Sequence, residues 1–428
     1  AAAWPACAPR PEDWSRASSL AAVRHYTPPP TPFVWRRLVT SLFLPLTLAM
    51  LLVGLGKPPV IPTELGPQQM VVTRAPQLAV HTRLTDEVES WKIKQTLVMV
   101  RLMGASTIIE YFPWAYMEPR QGRYNWDHAD QVIDHARRQG LKVVARIDYV
   151  PDWARPAQSS TRLLPDDRFE DYARFVGAFA ERYRGRVEAL VIWNEPNVSF
   201  EWGGRPPDAV AYTRLLAGAY QAAKAADPSV QVWAGALAPT LASSDEEGAV
   251  SDLAFLAAMY DAGAAPYFDG LTMHAYGWNF AADDPPDPAV VNFRRVELLR
   301  AIMVRHGDGH KPAPITEAGW NDHPRWTKAV RPSQRIVATV DAMDLARGWE
   351  WAPFVAVWAF RFPWANHSFI DNWALVDPDF TPRPLYTALA AYAARGSSDA
   401  ALEAVGLNTS DRFLSTSTAP PATSHASQ

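Results

Sequence analysis

From about residue 77 to residue 394 the chain alternates short apolar runs with longer amphipathic stretches, and it does so eight times. The strand-like runs fall at 78–82, 106–111, 141–148, 189–193, 230–235, 268–274, 313–317 and 353–358; helical patterns fill 85–103, 127–139, 168–183, 208–225, 252–262, 293–306, 333–347 and 384–394. Apolar runs this short, without polar alternation, read as strands buried on both faces, and such strands are parallel and need helical crossovers. Eight such units with no second sheet predict an α/β fold closed as a (β/α)8 TIM barrel. A doubly wound open sheet is the rival, but no Gly-rich phosphate turn follows the first strand.

In a barrel of this kind the C-terminal strand ends share one mouth, so chemistry is sought there first. The fourth run, Ala189-Leu190-Val191-Ile192-Trp193, stops in Asn194-Glu195-Pro196-Asn197, and proline ends the ladder at that point. The seventh repeats the pattern: Ile315-Thr316 leads into Glu317-Ala318-Gly319-Trp320, with a glycine that permits a tight turn. Two carboxylates facing each other across a barrel mouth suit glycoside hydrolysis, one protonating the leaving oxygen and the other attacking the anomeric carbon or activating water. A single Asn-Glu-Pro serves equally well as a cap for the next helix; the paired carboxylates give it a chemical use. Other polar strand ends are Glu110, Asp148, His274 with Tyr276, and Trp358, with Trp153 and Trp320 close by. None of the eight ends carries the lysine that an aldolase-like barrel would need.

These motifs resemble those of the clan A glycoside hydrolases, the retaining (β/α)8 group, and most of all its family 39, β-xylosidase-like branch. Trp193-Asn194-Glu195-Pro196-Asn197 is similar to the clan's acid/base motif and Thr316-Glu317-Ala318-Gly319-Trp320 to its nucleophile motif. Met117-Glu118-Pro119-Arg120-Gln121-Gly122-Arg123-Tyr124-Asn125-Trp126, His274-Ala275-Tyr276, Trp358, Ala374-Leu375-Val376-Asp377-Pro378 and Arg383-Pro384-Leu385-Tyr386 extend the likeness in the expected order over residues 78–392. The resemblance implies Glu195 as acid/base, Glu317 as nucleophile, Asn194 on the sugar 2-hydroxyl, Tyr276 bonded to Glu317, His274 lining the cleft and Trp358 flooring it. Trp320 and Asp148 are further substrate-binding candidates. The arginine that many clan members place beside the nucleophile has no match at the second strand end, where Glu110 and Tyr111 stand.

Outside the barrel (77–395) the sequence changes character. Residues 1–35, opening on Ala rather than Met as expected of a truncated or processed start, are Pro- and Ala-rich without periodicity and predict a disordered segment. Arg36-Arg37 then precede an uncharged run of 19 residues to Gly56, long enough to cross a bilayer, so 36–56 is expected to be a single transmembrane or signal-anchor helix with the barrel outside. A cleaved signal and a secreted protein form the alternative. Residues 57–76 read as a linker and 396–428, rich in Ser, Thr and Ala, as a disordered tail.

Composition removes other function classes. A net charge of -4 offers no basic face for nucleic acid, and Cys7, the only cysteine, supports neither a disulfide nor a thiolate zinc site. Asp283-Asp284-Pro285-Pro286-Asp287 lacks calcium-loop spacing, so neither metal nor cofactor is expected. Eighteen Trp, 14 Tyr and 17 Phe can both fill a core and stack on sugar rings. The expected partners are an oligo- or polysaccharide with β linkages and, through the apolar run, a membrane. A catalytically inactive glycan-binding barrel is the alternative function.

Overall fold

The computed structural model describes residues 66–243 and 248–408. The expected leader (1–35), the apolar segment (36–56), the first part of the linker and the end of the tail lie outside the described residues. No helix among the described residues is long and apolar enough to cross a membrane.

Among the described residues there are nine parallel strands: β1 (Leu78–His81), β2 (Thr107–Pro113), β3 (Lys142–Asp148), β4 (Ala189–Ile192), β5 (Gln231–Ala234), β6 (Gly270–Leu271), β7 (Met273–Tyr276), β8 (Ile315–Gly319) and β9 (Val355–Val357). Their order, β6-β5-β4-β3-β2-β1-β9-β8-β7, leaves β6 and β7 at its two ends. These are one strand broken at Thr272, whose N–H and hydroxyl both donate to Ala234 O on β5. The first half pairs with β5 and the second with β8, so the sheet is an eight-stranded barrel. Ala79, Ile109, Val144, Ala189, Val191, Trp233, Phe354 and Ala356 fill its interior.

The crossovers are α1 (Ser90–Met103), α2 (Asp127–Arg138), α3 (Phe169–Arg182), α4 (Ala209–Ala226), α5 (Asp252–Asp261), α6 (Val296–Arg305) and α7 (Pro332–Arg347), and α8 (Pro384–Arg395) follows the last strand. The helices also fix the strand ends that matter. Tyr172 on α3 donates its hydroxyl hydrogen to Ile147 O on β3 at 2.7 Å, and Tyr212 on α4 donates to Ile192 O on β4 at 2.8 Å while accepting the Gly235 N–H. Both rings are fully buried, so these bonds clamp the ends of β3 and β4 to the helical layer in a low-dielectric setting.

Four expectations change. The first helix begins at Ser90, not at 85, because Leu84–Asp86 form a 3-10 turn held by the Glu110 carboxylate, which accepts the N–H groups of Leu84 and Thr85. Glu87, expected in its first turn, instead forms a buried ion pair with Arg361. The second strand runs on to Pro113, so Glu110 lies within it and not at its end. The tail does not become irregular at Gly396: Ser397 caps a further helix, α9 (Ser398–Glu403), which buries Ala401 and Leu402. Residues of the presumed linker also run against the barrel, with Gln69 N–H bonding Arg138 O and Arg74 N–H bonding Ala393 O.

Candidate active site

The end of β4 is a tight, strained turn. Trp193 and Glu195 adopt φ of 70° and 42°, left-handed conformations that cost about 1–3 kcal/mol each in a non-glycine residue and persist only where packing over-determines them. That packing is visible: Trp193 N–H donates to Ile147 O, Glu195 N–H to Ala236 O, and the Trp193 indole N–H to Glu201 O. Gly235 lies so close that a Cβ there would meet Ile192 O at 2.6 Å and Trp193 O at 2.7 Å. The turn presents Asn194 and Glu195 at the mouth, with the Glu195 side chain 20% exposed.

Glu317 comes from a bulge. Met273 pairs with Ile315 but the next residue, His274, pairs with Glu317, so Thr316 is the extra residue that re-aims β8. The slip sets His274 beside the carboxylate. His274 Nδ1 is 2.7 Å from Glu195 Oε1 and its Nε2 is 3.6 Å from Glu317 Oε1. One oxygen of each carboxylate and a ring nitrogen of His274 all lie within 4.8 Å of one another. Burial alone would lower the His274 pKa, but the Glu317 charge and the bond to Glu195 outweigh it and raise it. The Tyr276 hydroxyl donates to Glu317 Oε2 at 2.6 Å, and burial, then the Glu317 charge, raises its pKa well above the usual value.

Two residues not singled out from the sequence complete the surroundings of Glu317. Arg146, on β3, donates from Nη1 to both Glu317 Oε1 and Asn194 Oδ1 at 3.0 Å, while its Nε ion-pairs with Asp148 at 3.1 Å. Burial works against its charge, but Asp148 and Glu317 more than compensate, so the guanidinium stays protonated. His81, at the end of β1, points Nε2 at Glu317 Oε1 from 3.7 Å and packs edge-on to Trp358 at 4.5 Å. Burial first and Arg146 second hold His81 well below the usual histidine pKa, so the ring is neutral at pH 7.

The remaining candidates separate. Asn194, His274, Tyr276, Glu195 and Glu317 meet in one cluster, and half-buried Trp358 stands next to it through His81. Asp148, the last residue of β3, is buried and engaged with Arg146. Trp320 is not at the mouth: it is 1% exposed, its indole N–H donates to Phe280 O, and its ring packs on Phe293. Trp153 donates to Glu118 O and packs edge-on to Trp114. Glu110, engaged with Thr82, Leu84 and Thr85, shapes the turn after β1. The Glu195, His274 and Glu317 ligand atoms are close enough to hold a cation, yet the Arg146 guanidinium is already paired with Glu317 Oε1, and a second positive charge there would be repelled.

Comparisons with known proteins agree with this architecture. The family profile of the glycoside hydrolase 42 β-galactosidases matches residues 85–156. Endo-1,4-beta-xylanase 3 of Hypocrea jecorina is 25% identical over 149 residues, 33% of this chain and 40% of the xylanase. Among solved structures, a family 39 glycoside hydrolase from the gut symbiont Bacteroides cellulosilyticus WH2 superposes with a TM-score of 0.61 at 21% identity, over 77% of this chain and 65% of that one. A family 39 β-xylosidase from Caulobacter crescentus does so with a TM-score of 0.54 at 22% identity, over 76% and 72% of the two chains. The match therefore spans two fifths of the xylanase and about two thirds of the Bacteroides protein.

Proposed function

We propose that this chain, a (β/α)8 barrel of the clan A glycoside hydrolase type, is a retaining glycosidase that cleaves β-linked glycans, with Glu317 as nucleophile and Glu195 as acid/base. The observation that carries the reading is the closeness of the two carboxylates, an oxygen of each within 4.8 Å of the other. Retaining enzymes hold their carboxyl groups about 5–5.5 Å apart, whereas inverting enzymes need roughly 6.5–9.5 Å to admit water.

In the first step a Glu317 oxygen bonds to the anomeric carbon, the glycosidic C–O bond breaks, and the Glu195 proton passes to the departing oxygen. In the second, Glu195 takes a proton from water, the water oxygen bonds to the anomeric carbon, and the Glu317 carboxylate leaves. His274 bridges both carboxylates and so fixes one oxygen of Glu195, leaving the other for the substrate. Arg146 and Tyr276 each hold one oxygen of Glu317, which aims the nucleophile at a single face of the sugar. Asn194, itself held by Arg146, is positioned for the 2-hydroxyl, and Trp358 for the floor of the same subsite. A binding-only barrel has no use for two carboxylates gathered on one histidine, which disfavours the inactive alternative.

The substrate is, on this reading, a β-linked glycan, a reading supported by the β-xylanase and β-xylosidase names of the relatives. The apolar run after Arg36-Arg37 supports a membrane-anchored enzyme with an extracytoplasmic barrel, acting on a cell-surface or exported polysaccharide.

A panel of aryl β-glycosides, followed by proton NMR of the first product, tests the mechanism. The product keeps the β configuration. Glu317→Gln is inactive on every substrate, while Glu195→Gln loses about 10²- to 10⁴-fold on poor leaving groups and less on activated ones. Azide restores turnover in Glu195→Ala. An inverted product, or equal losses in both variants whatever the leaving group, overturns the assignment.

A further inference from the structure

The end of the barrel away from the carboxylates, where the strands begin, carries an exposed face that the chemistry does not use. Residues 68–74 cross the C-terminal ends of α2, α1 and α8 there. Gln68 Nε2 donates to Arg137 O at 2.8 Å, Gln69 N–H to Arg138 O at 2.8 Å and Arg74 N–H to Ala393 O at 2.7 Å. Two left-handed glycines let the segment lie close: a Cβ at Gly140 would meet Met70 Cα at 3.0 Å, and one at Gly104 would meet Val72 O at 3.5 Å. The bond from Arg101 Nε to Gln139 Oε1, at 2.7 Å, ties the ends of α1 and α2 to each other. The face is therefore fixed in shape.

Its side chains alternate. Val71 packs on the core and Ala75 is buried, while Met70 and Val72 face outward, 76% and 86% exposed, followed by exposed Arg74. Leu102, 61% exposed, stands two residues before Gly104 and so close to Val72. Single exposed apolar side chains are ordinary, but three on one fixed surface form a patch of the kind that marks a protein or membrane contact. The charge around it has one sign. Residues 66–76, 99–104 and 135–141, which build the face, contain four arginines, Arg74, Arg101, Arg137 and Arg138, and no carboxylate.

We propose that this face docks on a lipid surface bearing anionic headgroups, so that the cleft, at the opposite ends of the strands, opens away from the membrane. The inference rests on the membrane-anchored reading and adds which side of the barrel meets the bilayer. The sequence supplies the tether: nine residues, 57–65, separate Gly56 from Gly66. Even fully extended, such a stretch spans at most about 35 Å, and the chain it delivers runs at once into Met70 and Val72. A tether this short holds a surface at an effective concentration on the order of millimolar, at which a patch too weak to recruit a free protein still sets orientation. Apolar side chains among arginines suit the headgroup boundary, where the former enter the acyl region and the latter pair with phosphates. A symmetric contact between two copies of the chain would instead set these arginines against one another.

The test uses the full chain with Cys7→Ser, reconstituted in vesicles of phosphatidylcholine mixed with phosphatidylglycerol. A nitrobenzoxadiazole probe is placed on one new cysteine at a time: Val72→Cys, Leu102→Cys or, on the exposed loop after β4 at the other end of the barrel, Phe200→Cys. Spin-labelled lipid quenches the probe at 72 and at 102 and leaves the probe at 200 bright. Adding Arg74→Gln with Arg137→Gln lowers the ratio of quenched to unquenched probe roughly 10- to 30-fold, as the loss of two cations at an anionic surface predicts, and vesicles of phosphatidylcholine alone move it in the same direction. A chain that floats with the vesicles after a salt wash yet shows no quenching at 72 and 102, or is quenched at 200 instead, overturns the inference. Shielding of both probes without lipid quenching, the sign of a protein contact, overturns it as well. A chain that does not float defeats the anchored reading, and the inference with it.

Discussion

Replacing Arg146 by Met removes a buried cation that three groups share, and the cost divides in a way the structure makes calculable. Charges 3.0 Å apart, as Nη1 and Glu317 Oε1 are, interact by about 5–6 kcal/mol at an effective dielectric near 20. Desolvation consumes much of that, and a net worth of roughly 1.5–3 kcal/mol is usual for a hydrogen bond to a charged group. Arg146 makes one such bond to Glu317 and a second to Asn194, so kcat/KM on an aryl β-glycoside should fall by roughly 10²- to 10³-fold. The same substitution strands Asp148, which is 4% exposed and whose ion pair is Arg146. An unpaired buried carboxylate costs about 3–5 kcal/mol of stability, visible in urea unfolding. The double variant Arg146→Met with Asp148→Asn removes the stranded charge, so most of the stability returns while activity does not. If activity returns with stability, Arg146 serves the fold alone, and its placement in the chemistry is wrong.

Glu201→Gln tests the buried carboxyl of the loop after β4, the partner of Arg162, through pH. Its folded pKa of about 7 exceeds the ordinary 4.5, so between those values the folded state holds a proton that the unfolded state has lost; stability from this group is complete below 4.5 and is lost as pH rises to 7. The loss is on the order of 3 kcal/mol, and the difference between wild-type and variant unfolding free energies from urea titrations should shift by that amount between pH 4.5 and 7.5; parallel pH curves would refute it. The membrane proposal predicts that the chain expressed from its gene sediments with membranes and resists salt extraction, because an apolar helix holds far more firmly than surface charge; recovery of a soluble form starting just after Gly56 would establish a cleaved signal instead.

The barrel was legible in the sequence because its strands are short, apolar and separated by helices of full length, and the positions of Glu195, His274, Tyr276 and Glu317 followed from where those strands stop. What the pattern does not carry is register. The bulge at Thr316 that sets His274 opposite Glu317, and the break at Thr272 that divides one strand between two neighbours, are properties of pairing, and neither leaves a glycine or proline at its own position. Helix starts failed where tertiary partners competed: Glu87 left the first turn of α1 for a buried arginine, and Glu110 pinned the backbone that would have been the turn before it. Trp320 stands just past the end of β8, three residues after Glu317, and its ring is buried against Phe293 instead of opening at the mouth.

The arginine beside Glu317, Arg146, is the residue the sequence hides best. Strands of a parallel barrel are buried on both faces, so alternation does not reveal which residues point inward, and Arg146 reads as an interruption in Lys142–Asp148. The period of two nevertheless ties it to Asp148: whichever face the strand-end carboxylate takes, the residue two positions before it shares. Register explains why the guanidinium comes from β3. Tyr111 on β2 is the pairing partner of Arg146, at the same height in the barrel, and the guanidinium lies 5.5 Å from its ring centroid. A tyrosine on one strand and an arginine on the next thus fill the layer beneath the mouth together. The phenol is bonded to Asp86 on the β1 loop, which leaves the cation to Glu317, Asn194 and Asp148. A closed barrel thus delivers a positive charge to Glu317 from β3 without moving the carboxylate it pairs with.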